Sequence, residues 1–181
     1  GRRVTGAAPG WLRPDWSAPP HVRALFTTRG ESAADGASAP PCDFFNLGDH
    51  VGDDVAAVAA NRARLGAALG ARPVFMNQVH GHDVLALAPE VPEVPDGATA
   101  DAAVSTVPGL ACTVMVADCL PVLITDTEGR AVAAAHAGWR GLAGGVLERT
   151  LERFRALAGM QQAQAAIDSE ATNWPRRVIA M

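Results

Sequence analysis

The chain has little cysteine and none of it is paired: Cys42, Cys112 and Cys119 are odd in number and form no CxxC. That excludes a disulfide framework and the paired-thiol zinc ribbons and redox motifs. Such usage suits a reducing compartment, so a cytoplasmic location is expected. Positive charge is also scarce. With 15 Lys and Arg against 19 Asp and Glu, the formal net charge is -4, and no local basic cluster supplies the field that nucleic acid or an anionic membrane surface needs. Neither is expected as a partner. No apolar run reaches the roughly 20 residues of a membrane helix, because the most apolar stretch, Val107 to Thr125, is broken by Pro108, Gly109, Asp118 and Pro121. Gly1-Arg2-Arg3 leads into no apolar segment of signal-peptide type. With no initiator Met there, the natural chain is expected to begin upstream. No internal repeat is present.

What is present fits one globular domain. A chain of 181 residues with 49% hydrophobic and 19% charged residues has enough material for a core, and a domain of this size buries about 70% of its unfolded surface. Residues 1 to 20, with Trp11 and Trp16 flanking Pro14, read as an irregular arm held by aromatic anchors. Val22 to Thr28 has the composition of a strand, and 30 to 41 is a loop of small residues. From Asp54 onward, Val55, Val58, Leu65 and Leu69 share a helical face, with Asp53 or Asp54 as N-cap and Gly70 as the stop.

Short β-like runs follow at Val74 to Val79 and Val84 to Ala88. After a Pro-rich loop come four more, at Ala102 to Ser105, Ala111 to Val116, Val122 to Thr125 and Arg130 to Ala135. Thr127-Glu128-Gly129 predicts a hairpin between the last two. A second long helix is expected from Gly141 to Gly159, and Gln161 to Glu170 can extend a polar helix that Asn173-Trp174-Pro175 would end. The order of helix, strands and helix predicts an α+β layered domain.

Three stretches carry the chemistry: Gln78-Val79-His80-Gly81, Ala117-Asp118-Cys119-Leu120-Pro121 and His136-Ala137-Gly138-Trp139-Arg140-Gly141. Two imidazoles and one thiol, with one position left open, make the usual ligand set of a catalytic zinc site. Each histidine is followed within two residues by glycine, which admits a close neighbour. The alternative from spacing alone is a buried Cys behaving as a small hydrophobe and two hydrogen-bonded histidines. Asp101 and Asp118 are the nearest carboxylates in sequence, and either can orient a histidine or move a proton; Asp101 suits an N-cap or turn equally.

The run Gly138 to Gly145 opens the second helix, where free backbone N–H groups attract phosphate or carboxylate. Arg140 can add a bidentate contact and Trp139 can lie against a planar base, the alternative being a tight turn with Trp139 in the core. Arg29 can meet an anion, and Asn46 can pair with sugar or base edges; each residue type is more often a surface or turn residue. His21, His50 and His82 read as surface or structural histidines.

Taken in order, Thr27-Thr28-Arg29, Asn46-Leu47-Gly48, His50-Val51-Gly52-Asp53-Asp54, Asn61-Arg62, Ala100-Asp101-Ala102 and the three stretches above resemble the YfiH-like family. The family also goes by the names laccase-domain protein, multicopper polyphenol oxidase and peptidoglycan editing factor. The resemblance runs from about Val22 to about Ala158, within a single domain over 1–181. It implies a layered sandwich of mixed β-sheets with flanking helices. It also implies a zinc held by His80, Cys119 and His136, and an enzyme of purine nucleosides: phosphorolysis of adenosine, inosine and methylthioadenosine, and deamination of adenosine. Arg29, Asn46, Gln78 and Arg140 would then lie around the substrate, with Asp118 beside the catalytic ligands. Two departures stand out. Glu31 follows Gly30 where the family often has a second glycine, and nothing from Met160 to Met181 resembles the family's continuation, so a truncated or replaced tail is expected.

On this reading zinc lowers the pKa of a bound water toward about 7 for deamination. For phosphorolysis, Arg140, the helix start and Arg29 position phosphate, while Asp118 or a histidine protonates the leaving purine. Purine nucleosides and phosphate are the expected partners. A copper-dependent polyphenol oxidase with Met115 as weak axial ligand is the second reading. A cysteine hydrolase acting on peptidoglycan precursors through Cys119, and a nucleoside-binding module without turnover, are the others. Neither the preferred nucleoside nor the oligomeric state is encoded legibly.

Overall fold

The computed structural model describes residues 10–89 and 97–159. The expected Pro-rich loop lies mostly outside those residues, and the polar helix of 161 to 170 with its Asn173-Trp174-Pro175 stop lies wholly outside. The element order is α1 (Val55–Leu69), β1 (Arg72–Val74), β2 (Met76–Asn77), β3 (Val84–Leu87), β4 (Ala98–Thr99), β5 (Ala102–Ser105), β6 (Leu110–Cys112), β7 (Leu120–Thr125), β8 (Val132–Ala137), α2 (Trp139–Ala143) and α3 (Val146–Leu157). The architecture is one of mixed sheets with flanking helices.

Helix α1 starts where its cap does. Asp54 is extended and its carboxylate accepts from the Ala57 N–H, while Gly70 ends the helix in the left-handed conformation at φ 64°. Val55 faces solvent rather than the core and is 82% exposed, because in the first turn the buried stripe begins at Val58 and continues through Asn61 and Leu65. Leu65 packs with Trp11, Phe45, Leu47 and Phe75, so the irregular arm is indeed held by an aromatic anchor. Asn61 ties this helix to the preceding loop: its amide nitrogen donates to Ser38 Oγ and to the Phe44 and Asn46 carbonyls, and its oxygen accepts from the Ala37 N–H.

The central sheet has the order β3-β5-β8-β7, with β3 and β5 parallel and the other pairs antiparallel. The expected hairpin is β7–β8. Its turn is closed by Asp126, whose carboxylate accepts from both the backbone N–H and the guanidinium Nε of Arg130 at 2.7 Å. Strands β5 and β8 are rich in buried alanines, Ala102, Ala103, Ala133, Ala134 and Ala135. On the face bearing Ala102, Ala133 and Ala135, small side chains let α3 lie close, with Val146, Thr150 and Phe154 at helical spacing, while Ala103 packs on the other face with Met76 and Ala100.

Several expected elements take a different form. Val22 to Thr28 is not a strand; among the described residues it makes an isolated antiparallel bridge, Leu12 to Phe26. Val74 to Val79 splits at buried Phe75 into β1 and β2, which pair with different partners, β6 and β4. The second long helix breaks into α2 and α3 at Gly144 and Gly145. Gly145 adopts φ 84°, and a Cβ on Gly144 would sit 2.9 Å from His82 Nδ1.

Candidate metal centre

The sheet delivers the three candidate ligands to one end. His136 is the penultimate residue of β8 and pairs with Pro121 of β7. Cys119 immediately precedes β7, whose first residue, Leu120, pairs with Ala137. His80 sits on the connection between β2 and β3. The ligand atoms of His80, Cys119 and His136 all lie within 4.8 Å of one another. The two imidazoles meet edge to face with ring centroids 4.7 Å apart. Two imidazole nitrogens and one sulfur so placed can hold a single ion and leave a coordination position open.

Gly138 makes the closeness sterically feasible. A Cβ there would lie 2.8 Å from Cys119 Sγ and 3.1 Å from His80 Cδ2. The glycine after each histidine is thus a packing requirement, and Gly81 similarly lies against Asp101.

Of the two candidate carboxylates, the one that meets a histidine is Asp101. It is fully buried, and its Oδ1 lies 2.8 Å from His136 Nδ1. The carboxylate accepts, so His136 carries its proton on Nδ1 and presents the Nε2 lone pair outward, which is the tautomer a metal ligand needs. Burial alone would push the Asp101 carboxyl up. The His136 hydrogen bond and the backbone N–H groups of Gly81, Val79 and His80 outweigh it and hold the group below its ordinary value.

Asp118 is exposed, with Oδ1 3.8 Å from Cys119 Sγ. Burial first, then the Asp118 and Asp101 carboxylates, push the Cys119 thiol above its ordinary value of 9.0. A nucleophilic cysteine needs the opposite shift, so these surroundings work against a free thiolate at Cys119.

The four residues expected around a substrate are placed unequally. Gln78 is engaged at both ends with one backbone unit: its Nε2 donates to the Met115 carbonyl and its Oε1 accepts from the Met115 N–H, each at 2.7 Å. It therefore straps the His80 segment to the segment leading to Cys119. The buried Asn46 amide closes its own loop, donating to the Gly48 carbonyl and Asp53 and accepting from the Gly48 N–H. Arg29 is ion-paired with Asp43 at 2.8 Å, which offsets its charge. Arg140 is exposed, its guanidinium 4.6 Å from the Trp139 ring centroid, and among the described residues no carboxylate pairs with it. Trp139 is 70% exposed, so the packed-core alternative for it does not hold.

Met115, partly buried, packs against the Trp11 and Phe45 cluster. A cavity of about 480 Å³ lies elsewhere, between the 21–27 segment, the end of α1 and β7–β8, and none of the three ligands lines it. The candidate ligands converge at the sheet end, and the cavity contributes none of them.

Comparison with known proteins places the chain in a family. A family profile described as multi-copper polyphenol oxidoreductase laccase matches residues 23–170. A purine nucleoside phosphorylase of Pseudomonas aeruginosa is 52% identical over 142 residues, covering 78% of this chain and 55% of the relative. The Escherichia coli purine nucleoside phosphorylase YfiH is 50% identical over 143 residues, 78% of this chain and 56% of the relative. Among solved structures, a Neisseria meningitidis protein superposes with TM-score 0.72 at 43% identity, covering 80% of this chain and 57% of its own. YlmD from Geobacillus stearothermophilus superposes with TM-score 0.66 at 34% identity, covering 82% of this chain and 57% of its own. The chain thus spans a little over half the length of the relatives it matches. No helix among the described residues is long and apolar enough to cross a membrane.

Proposed function

The chain belongs to the family described as multi-copper polyphenol oxidoreductase laccase, and from that membership we propose that it carries the metal centre of a zinc-dependent purine nucleoside phosphorylase that also deaminates adenosine. The observation that carries this reading is the convergence of His80, Cys119 and His136 within 4.8 Å, in a chain about half identical to proteins named purine nucleoside phosphorylase. One thiolate and two imidazoles fit zinc by donor type and number. Bound there, the metal would supply Lewis acidity toward an oxygen of the substrate or water.

The chain's own residues do the rest. His136, fixed as the Nδ1–H tautomer by Asp101, offers its Nε2, and His80 approaches it edge on. Trp139, exposed beside Gly138, offers a ring face to a planar purine. Arg140, free of carboxylate partners among the described residues, offers a cation to phosphate or to a nucleoside's charged substituent. Asp118, exposed next to Cys119, is the carboxyl available to pass a proton to the departing purine. Arg29 contributes only where a stronger anion displaces Asp43.

Copper redox chemistry is less well supported, since Met115 is partly buried against the Trp11 and Phe45 cluster. A Cys119 hydrolase is disfavoured by the upward shift of its thiol. The test is elemental analysis of the purified protein, followed by incubation of zinc-loaded protein with adenosine or inosine, with and without phosphate. A full-length relative run alongside serves as the positive control. Adenine or hypoxanthine appearing only with phosphate, and inosine appearing from adenosine, are expected. Stoichiometric copper with oxygen-dependent phenol oxidation would replace this reading.

A further inference from the structure

The geometry points to Asp101 as the positioning residue that sets both histidines at once, so that a single buried carboxylate holds two of the three candidate ligands. The inference rests on the proposal that His80, Cys119 and His136 bind a metal together.

Asp101 is itself held rigidly. It sits immediately before β5, its N–H donates to the Asp83 carbonyl, and its carbonyl accepts from the His136 N–H at 2.7 Å. Backbone pairing therefore places it across from His136 before its side chain makes any contact. The carboxylate then takes four donors. Oδ1 accepts from the His80 N–H at 2.9 Å and from His136 Nδ1 at 2.8 Å. Oδ2 accepts from the Val79 N–H at 3.1 Å and the Gly81 N–H at 2.7 Å. A carboxylate has about four lone-pair sites, so this one is saturated.

Three successive N–H groups converge on one anion only if the backbone curls, and here it does so at His80, which has φ 60°. Among the described residues His80 is the sole non-glycine with positive φ, a conformation that L side chains rarely adopt. Glycine would sit there without strain. The histidine is tolerated because the carboxylate clamps the residues on either side of it, and the curl turns its ring toward His136. Backbone strain at a clamp of this kind marks preorganisation. The same oxygen that fixes the His80 backbone also fixes the His136 tautomer, so neither imidazole can be displaced without disturbing the other.

Asp101→Asn separates the two roles from bulk. The amide keeps the shape but has one acceptor oxygen, and its NH2 faces N–H donors. The His80 curl loosens and His136 is free to take the Nε2–H tautomer, which puts a proton where a metal would bind. Three measurements test this on the whole chain: the His136 tautomer by long-range 1H–15N NMR in metal-free protein, hydrogen exchange of the amides of residues 79 to 81, and cobalt(II) titration. The wild type is expected to show His136 as Nδ1–H, slow exchange at 79 to 81, and a thiolate-to-cobalt charge-transfer band. Asp101→Asn is expected to shift the tautomer, speed exchange at 79 to 81 and weaken cobalt binding by about 10- to 100-fold.

Wild-type His136 found as Nε2–H would overturn the inference even if the variant fails to fold. So would a folded Asp101→Asn protein with wild-type tautomer and cobalt affinity. Wild-type protein that gives no charge-transfer band, yet shows the expected tautomer and exchange, would sink the metal reading while upholding the role of Asp101 in placing the two imidazoles.

Discussion

Replacing Gly138 by alanine tests how tightly the ligands are packed. At φ -65° and ψ 162° the backbone there is open to any L residue, so the substitution carries no conformational strain. As the N-cap of a five-residue helix, the change costs about 1 kcal/mol at most. The effect falls on the site. The new Cβ would lie 2.8 Å from Cys119 Sγ and 3.1 Å from His80 Cδ2, whereas optimal non-bonded contact is about 3.5 to 4.0 Å. Both ligands must retreat by roughly half an ångström to one ångström to restore that contact, and a metal site tolerates about 0.2 Å. Gly138→Ala should therefore keep its melting temperature within a few degrees and lose about 10- to 100-fold in zinc affinity, measured by competition with a chromophoric chelator. Wild-type affinity in a folded variant would show that the three ligands do not share one ion.

Other perturbations probe the scaffold. Phe154→Ala removes a fully buried ring from between α3 and the alanine-rich sheet and should cost about 3 to 5 kcal/mol in denaturant unfolding; a loss below 1 kcal/mol would mean the gap collapses freely. Asp54→Ala deletes the N-cap bond to Ala57 and should cost about 1 kcal/mol, with no change in metal affinity.

The Asp126 carboxyl makes a prediction in pH. Burial acts to raise it, but the Arg130 side-chain and backbone hydrogen bonds outweigh burial and hold it below its ordinary 3.8. A depressed folded value means the stabilisation is complete above the unfolded value and is lost as pH falls through the folded one. Asp126→Asn should thus be less stable than wild type at neutral pH, with the difference shrinking below about pH 4. A difference that grows on acidification would contradict this assignment.

Local chemistry was legible where a residue acts on its own neighbours. The Gly70 stop and the 127–129 turn follow from side chains and glycines acting within a few residues, and the cap is narrowed by sequence to Asp53 or Asp54, of which the structure uses Asp54. The identities of the two histidines and the cysteine were equally legible, because the residue types themselves state the ligand chemistry. Strand extents were not: the split at Phe75 and the isolated Leu12–Phe26 bridge depend on which backbone lies alongside, and β propensity contains no record of that partner.

The sequence by itself thus determined the donor set, the local caps and the turn, since these depend on covalent neighbours and intrinsic side-chain chemistry. Tertiary structure alone decided which carboxylate orients His136, that Gln78 binds the Met115 backbone while Asn46 closes its own loop, and that Trp139 is exposed. Asp101 and Asp118 are indistinguishable as letters. Pairing of β5, β8 and β7 places one in the buried space beneath an imidazole and leaves the other in water, and hydrogen bonding across that distance is fixed by register, which no spacing along the chain encodes.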